Sequence, residues 1–382
     1  MFLRKFLPLL LLPALGACHP AEPVAEARPE LSPIAAMQEG DLTGYALADE
    51  ARAFQFPGDH DAHPDFRTEW WYFVGHLETA EGRRFGYQLT FFRQALRPDS
   101  EERTSSWATR HVYMAHFALS DVEGKVFHSA ERFARGAAGL AGVEGEEFRV
   151  WVEDWQARAS DSEERYTEDP IFPLRLEASD GPVTLEIELV PERPAILQGD
   201  NGLSRKGPSP GSASYYYSYT RLRAAGQVTL ADGTHDVTGS GWFDREWSTS
   251  GLEPGQKGWD WFALQLEDGQ DLMVYQIRLD DGSIEPLSHG ALVAPDGTHR
   301  HLSIAEVSLE ILDRWPSPTG SQYPAHWRLQ VPEYQLDLEV RPVLADQELQ
   351  VAYRYWEGAV DVSGTSGGKE VRGRGFVELV GY

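Results

Sequence analysis

Alternation with a period of two is the feature that most constrains this chain. Val183, Leu185, Ile187 and Leu189 fall on one side of a strand, and Thr184, Glu186 and Glu188 on the other. Phe148, Val150 and Val152 alternate in the same way with Arg149, Trp151 and Glu153, and Leu336, Leu338 and Val340 with Gln335, Asp337 and Glu339. Helical periodicity is almost absent beyond the N-terminus, so the core has to be built from sheets. Asp180-Gly181, Asp232-Gly233, Asp268-Gly269, Asp281-Gly282 and Asp296-Gly297 punctuate the runs. Asp-Gly favours tight hairpin turns, because glycine accepts the positive φ they require. The pattern predicts an all-β chain of antiparallel hairpins; sandwiches and barrels both satisfy it.

The hairpins also repeat. Trp70-Trp71-Tyr72-Phe73 leads to Leu77-Glu78, a Gly82 turn and Tyr87-Gln88; Trp259-Asp260-Trp261-Phe262 leads to Leu266-Glu267, a Gly269 turn and Tyr275-Gln276. The Trp-to-Leu spacing is the same in both (77 − 70 = 266 − 259 = 7), and the copies start 259 − 70 = 189 residues apart. Repetition at this distance predicts two similar β-domains, over 41–235 and 236–382, each opening on an aromatic hairpin.

Residues 1–17 read as a secretory signal: Arg4 and Lys5, then an apolar run from Phe6 to Leu15 that is too short to span a bilayer. The run ends in Leu15-Gly16-Ala17-Cys18, which resembles the lipobox at which bacterial lipoproteins are cut and acylated. Cys18 is the chain's one cysteine. It is therefore the expected lipidation site, and an intramolecular disulfide is excluded. His19 stands where many inner-membrane lipoproteins carry Asp, which favours an outer-membrane anchor facing the periplasm. Residues 18–40, rich in Pro, Ala and Glu, read as a tether. Lys and Arg number 34 against 60 Asp and Glu, a net charge of −26 that argues against nucleic acid as a partner.

The segment His63-Pro64-Asp65-Phe66-Arg67-Thr68-Glu69-Trp70-Trp71-Tyr72, with Gly75-His76-Leu77, resembles the signature of the carotenoid 1,2-hydratase and AttH-type domain family. Ala115 to Leu119, Tyr216 to Leu222, Gly241 to Trp247 and Trp259 to Phe262 carry further matches, so the resemblance runs from about residue 55 to 280. It implies two lipocalin-like antiparallel β-barrels of calycin type. It leaves the function open between hydratases of isoprenoid double bonds, cyclases of secondary metabolism and proteins associated with ABC exporters. By the same resemblance the Asp of the Trp-Asp-Trp-Phe motif, Asp260, is the expected general acid.

Chemistry is consistent with that role. A carboxyl in an apolar cavity loses its hydration and stays protonated near neutral pH. It can then protonate an alkene, and aromatic faces stabilise the cation formed. Trp242 and Tyr275 are the expected aromatic partners in catalysis, and Trp259, Trp261, Trp70, Tyr72, Tyr217 and His116 the expected ligand-binding residues. The alternative for Asp260 is a structural carboxylate bonded to N–H groups or paired with Arg. Arg67, Glu69, Asp244, Arg245 and Glu246 are expected in a structural ion network, with Asp244 and Glu246 on one strand face and Arg245 on the other.

His60 with His63, and His299 with His301, show no third ligand at a characteristic spacing, so no metal and no cofactor is assigned. Two Gly-x-Ser-x-Gly strings, at Gly207 to Gly211 and Gly364 to Gly368, read as turns: Pro210 lacks the oxyanion N–H in the first, and no helix follows either. The expected partners are an apolar small molecule or lipid, the membrane through its anchor, and an ABC permease. An acid-catalysing enzyme and a non-catalytic carrier of an apolar ligand are both compatible with the sequence.

Overall fold

The computed structural model describes residues 42–98, 105, 107–145, 147–161 and 166–382. The signal, Cys18 and the tether to residue 40 lie outside the described residues. The alternating runs form strands throughout, and the Asp-Gly turns take the left-handed backbone expected of them, with φ of 56° at Gly181 and 89° at Gly269.

Among the described residues the strands form two antiparallel sheets, of 13 and 10 strands. In the first, Thr68–Glu78 lies between Arg84–Ala95 and the later Gly233–Ser248; in the second, Gln256–Leu266 lies between Asp271–Leu279 and the later Lys369–Val380. Each sheet therefore pairs its opening aromatic hairpin with its last strand, so the sequence repeat is a repeat of topology. The first sheet curls into a nearly closed barrel and the second into a half-barrel, a lipocalin-like arrangement. The sheets part between Ser248 and Gln256. A division at 235/236 would cut the Gly233–Ser248 strand, whose N-terminal half hairpins with Ala213–Leu230 inside the first sheet. The Asp232-Gly233 turn opens that strand and does not separate domains.

Each sheet encloses its own core. Trp71, Phe73, Leu77, Phe91, Phe117, Phe243 and Trp247 pack inside the first; Phe262, Leu264, Trp327, Trp356 and Val377 inside the second. The opposite faces of the same strands would ordinarily be polar and wet. Here they are apolar and meet each other: Tyr72, Val74 and Trp242 from the first sheet pack on Trp261, Met273, Ala359 and Phe376 from the second. His76 Nε2 lies 2.8 Å from the Gly375 carbonyl oxygen, and ion pairs Arg84–Asp361 and Arg221–Asp271 cross the same seam. Gly86 permits the close approach, since a Cβ there would stand 2.5 Å from that of Ala359.

Candidate active site between the two sheets

The packed outer faces separate toward one side and enclose a cavity of about 840 Å³. Strand register explains its walls. On the first sheet, Tyr216 faces Glu246, Glu246 faces Trp70, and Trp70 faces Phe92, one row across four strands. Two residues along, Ser218, Asp244, Tyr72, Thr90 and His116 form the next row. On the second sheet Tyr275, Trp261, Glu378 and Glu357 form a third. Period two thus sends every second residue of the aromatic strands into one space.

Three carboxyl groups border it, Asp244, Glu246 and Glu378, and a fourth, Glu357, pairs with Glu378 on the neighbouring strand; each has a different setting. Asp244 is buried and accepts three hydrogen bonds: from Trp242 Nε1 at 2.6 Å, from Ser218 Oγ at 2.5 Å, and from the Tyr216 hydroxyl. Trp261 Nε1 donates in turn to the Tyr216 oxygen at 3.1 Å. Loss of hydration outweighs those donors and lifts the Asp244 carboxyl to about 7, with the charge of Glu246 adding to the rise. Glu378 accepts one bond, from Trp259 Nε1 at 2.9 Å to Oε2. Desolvation raises it to about 7 as well, and Glu246 and Asp244 push the same way. Its other oxygen meets no hydrogen-bond donor among the described residues. Glu357, bonded by the Tyr72 hydroxyl at 2.6 Å, is driven up by burial and by Glu378. Glu246 is paired with Lys206 Nζ at 2.8 Å, and that ammonium sits 4.1 Å above the Tyr275 ring.

Several residues expected at the site come together here. Trp70, Tyr72, Trp259, Trp261, Tyr275 and His116 all line the cavity, and His116 Nδ1 lies 2.8 Å from the Tyr355 hydroxyl. Others do not. Asp260 points away, between Trp259 and Trp261, into the core end of the second sheet. There it is fully buried and accepts bonds from the Tyr382 hydroxyl at 2.7 Å, Gln276 Nε2 at 2.8 Å and Arg278 Nε at 3.1 Å. It is the structural, Arg-paired carboxylate. Tyr217 points into the first core, its hydroxyl 2.6 Å from His60 Nδ1. Trp242 stands behind Asp244 as its donor and does not line the cavity.

The expected ion network also divides. Glu69 pairs with Arg245 and with Arg93, while Arg67, Asp244 and Glu246 line the cavity. Glu378, Glu357, Tyr216, Tyr355 and Lys206 were not singled out by sequence as site residues. Lys206 follows the short Leu203–Arg205 strand, in the connection that leads into Ala213–Leu230. One consequence is testable. Asp260→Asn should lower the melting temperature by loosening Arg278 and Tyr382, yet leave ligand binding in the cavity within about threefold; thermal unfolding and tryptophan quenching measure the two.

The profile of the AttH-like family matches residues 47–382. The chain belongs to the AttH-like family. A solved structure described as a putative AttH, from Nitrosomonas europaea, shares 36% identity with this AttH-like chain; the match covers 88% of this chain and 99% of that one, at a TM-score of 0.76. Kievitone hydratase of Fusarium solani subsp. phaseoli is 29% identical over 227 residues, which span 56% of this chain and 61% of the relative. The crystal structure of kievitone hydratase from Nectria haematococca has the same fold, with a TM-score of 0.65 at 16% identity, covering 88% of this chain and 96% of that one.

Proposed function

We propose that this AttH-like protein hydrates a carbon–carbon double bond of an apolar, isoprenoid- or lipid-like ligand held in the cavity between its sheets. The observation that carries this reading is the pair Asp244 and Glu378, two carboxyls raised to about 7 on one aromatic-walled cavity. The family's hydratase relative supports it. A neutral carboxylic acid can protonate carbon; a carboxylate already holding three donors is better suited to receive a proton from water.

Glu378 is therefore assigned as the acid. Its O–H proton goes to one alkene carbon, the π pair forms the new C–H bond, and the neighbouring carbon becomes a cation. The faces of Trp70, Tyr72 and Trp261 stabilise that cation. Water adds to it, and its surplus proton passes to Asp244 or back to Glu378. The balance is alkene plus water to alcohol, and return of the proton to Glu378 through solvent resets the site. The same steps without water capture would cyclise a ligand with a second double bond.

Cys18 and the residues after it are proposed to hold the protein at the bacterial outer membrane, facing the periplasm. A carrier serving an ABC permease would use the same cavity with no acid step. The test is direct: the full chain is incubated with kievitone and, separately, with lycopene in detergent micelles, and products are examined for gain of one water. Hydration by the native chain supports the reading. Binding of both compounds without product, unchanged in Glu378→Gln, would overturn it in favour of a carrier.

The pH dependence has a definite sign. The acid must carry its proton, so turnover should be level below about pH 6 where Glu378 takes the proton back from water; acceptance by Asp244, also raised to about 7, would make it fall there. Above about pH 7 it should fall roughly tenfold per unit as Glu378 ionises. A rate–pH profile at saturating ligand measures this, and a profile rising through pH 8 would exclude Glu378 as the acid.

A further inference from the structure

The cavity opens on an apolar rim. Leu96 and Phe133 line it, yet are 58% and 63% exposed, and Trp107, in the connection that follows Leu96, is 58% exposed. Large hydrophobic side chains gathered at the mouth of a ligand cavity mark a surface meant to be covered. Arginine also gathers at the rim of a chain of net charge −26. Arg67 and Arg97 line the opening, and Arg135 shares the strand face of Phe133, two residues along the edge strand Val126–Arg135. Exposed aromatics flanked by Arg match the acyl-and-phosphate boundary of a lipid leaflet.

The position of the N-terminal segment says which surface covers the rim. Thr43 and Tyr45 line the same opening, and the Tyr45 hydroxyl donates to the Ala95 carbonyl at 3.2 Å, next to Leu96. Gly44, at φ 90°, lies against Pro98 of the same rim. The chain thus enters the fold at the mouth. Residue 41 is 41 − 18 = 23 residues from Cys18, so a lipid on that cysteine is at most roughly 80 Å of extended chain from the opening.

We infer that the rim formed by Leu96 and Phe133 docks on the lipid leaflet, so that the cavity exchanges its apolar ligand directly with the membrane. The inference rests on the envelope location proposed above and names the partner surface of the same cavity. Ligand then passes from acyl chains to aromatic wall without crossing water.

The test uses the full chain on vesicles of phosphatidylethanolamine and phosphatidylglycerol, read by amide hydrogen exchange. Exchange should slow at least about tenfold at Leu96 and Arg97 and along the edge strand near Phe133. It should not change around Leu312, an exposed apolar residue on the second sheet's Ser308–Pro316 strand and outside the cavity lining. A Leu96→Ser, Phe133→Ser chain should stay on the vesicles through its anchor and lose that protection.

No slowing at the rim, or equal slowing at Leu312, overturns the inference: the protein then rides on its anchor, or the rim awaits a protein partner. Uptake of β-parinaric acid from solution, followed by fluorescence, separates this from the function proposed above. Uptake without rim protection sinks the docking alone. Rim protection without uptake sinks the cavity reading and leaves the docking supported. Lipidation is read independently by mass spectrometry of the peptide containing residue 18, and a Cys18→Ser chain run in parallel reports docking by the rim alone.

Discussion

Glu378→Gln should slow hydration by roughly 10²–10⁴-fold, the range over which a positioned general acid contributes, while the ligand still binds. The amide keeps the shape of the carboxyl and can keep the contact with Trp259 Nε1 through its oxygen, so the cavity wall stays in place. What it lacks is a proton acidic enough to give to carbon. Asp244→Asn should be less clean. Trp242, Ser218 and Tyr216 all donate to that carboxyl, and an amide nitrogen cannot accept from any of them. A fall in both turnover and ligand affinity is expected there, against a fall in turnover alone for Glu378→Gln. Single-turnover kinetics with a separate binding titration distinguishes the two patterns, and equal activity in native and Glu378→Gln chains removes Glu378 from the mechanism.

The largest expected loss of stability lies at Glu69. Its carboxylate is fully buried between Arg93 and Arg245, themselves buried, and Arg245 also stacks 3.9 Å over Trp71. Burial alone would push the Glu69 carboxyl up. The two guanidiniums outweigh it and hold the group well below the usual carboxylate range. A depressed value in the folded state adds stability above the ordinary Glu range and loses it only as pH falls through the lowered value, so this cluster should survive mild acid. Glu69→Ala leaves two buried cations without their counter-ion and should cost about 3–5 kcal/mol. Urea unfolding at neutral pH measures it. A loss below about 1 kcal/mol would mean that the two Arg side chains find water or other acceptors instead.

Period-two alternation carried the all-β reading, and the spacing of Trp70 and Trp259 carried the repeat, because both depend on which way neighbouring residues point. The same rule separated Asp244 and Glu246 from Arg245. Alternation does not say what covers a strand's second face, and there the site reading went astray. Asp260 looked exceptional, a carboxylate between two indoles, but its partners Arg278 and Tyr382 come from 18 and 122 residues away. Glu378, between Val377 and Leu379, has the pattern of any solvent-facing residue on a half-buried strand. It becomes a site residue because the other sheet closes over it. The domain division slipped for a related reason: a turn signal marks the start of a strand and is silent on which sheet the strand joins.

The strand that carries Glu378, Lys369–Val380, is the last of the cavity's walls to be synthesised, beginning 369 − 70 = 299 residues after Trp70. A nascent chain can complete the first barrel and still hold no acid. On the function proposed above, chemistry on an apolar compound would be confined to finished molecules, because the proposed acid arrives with an internal strand of the second sheet that is made last.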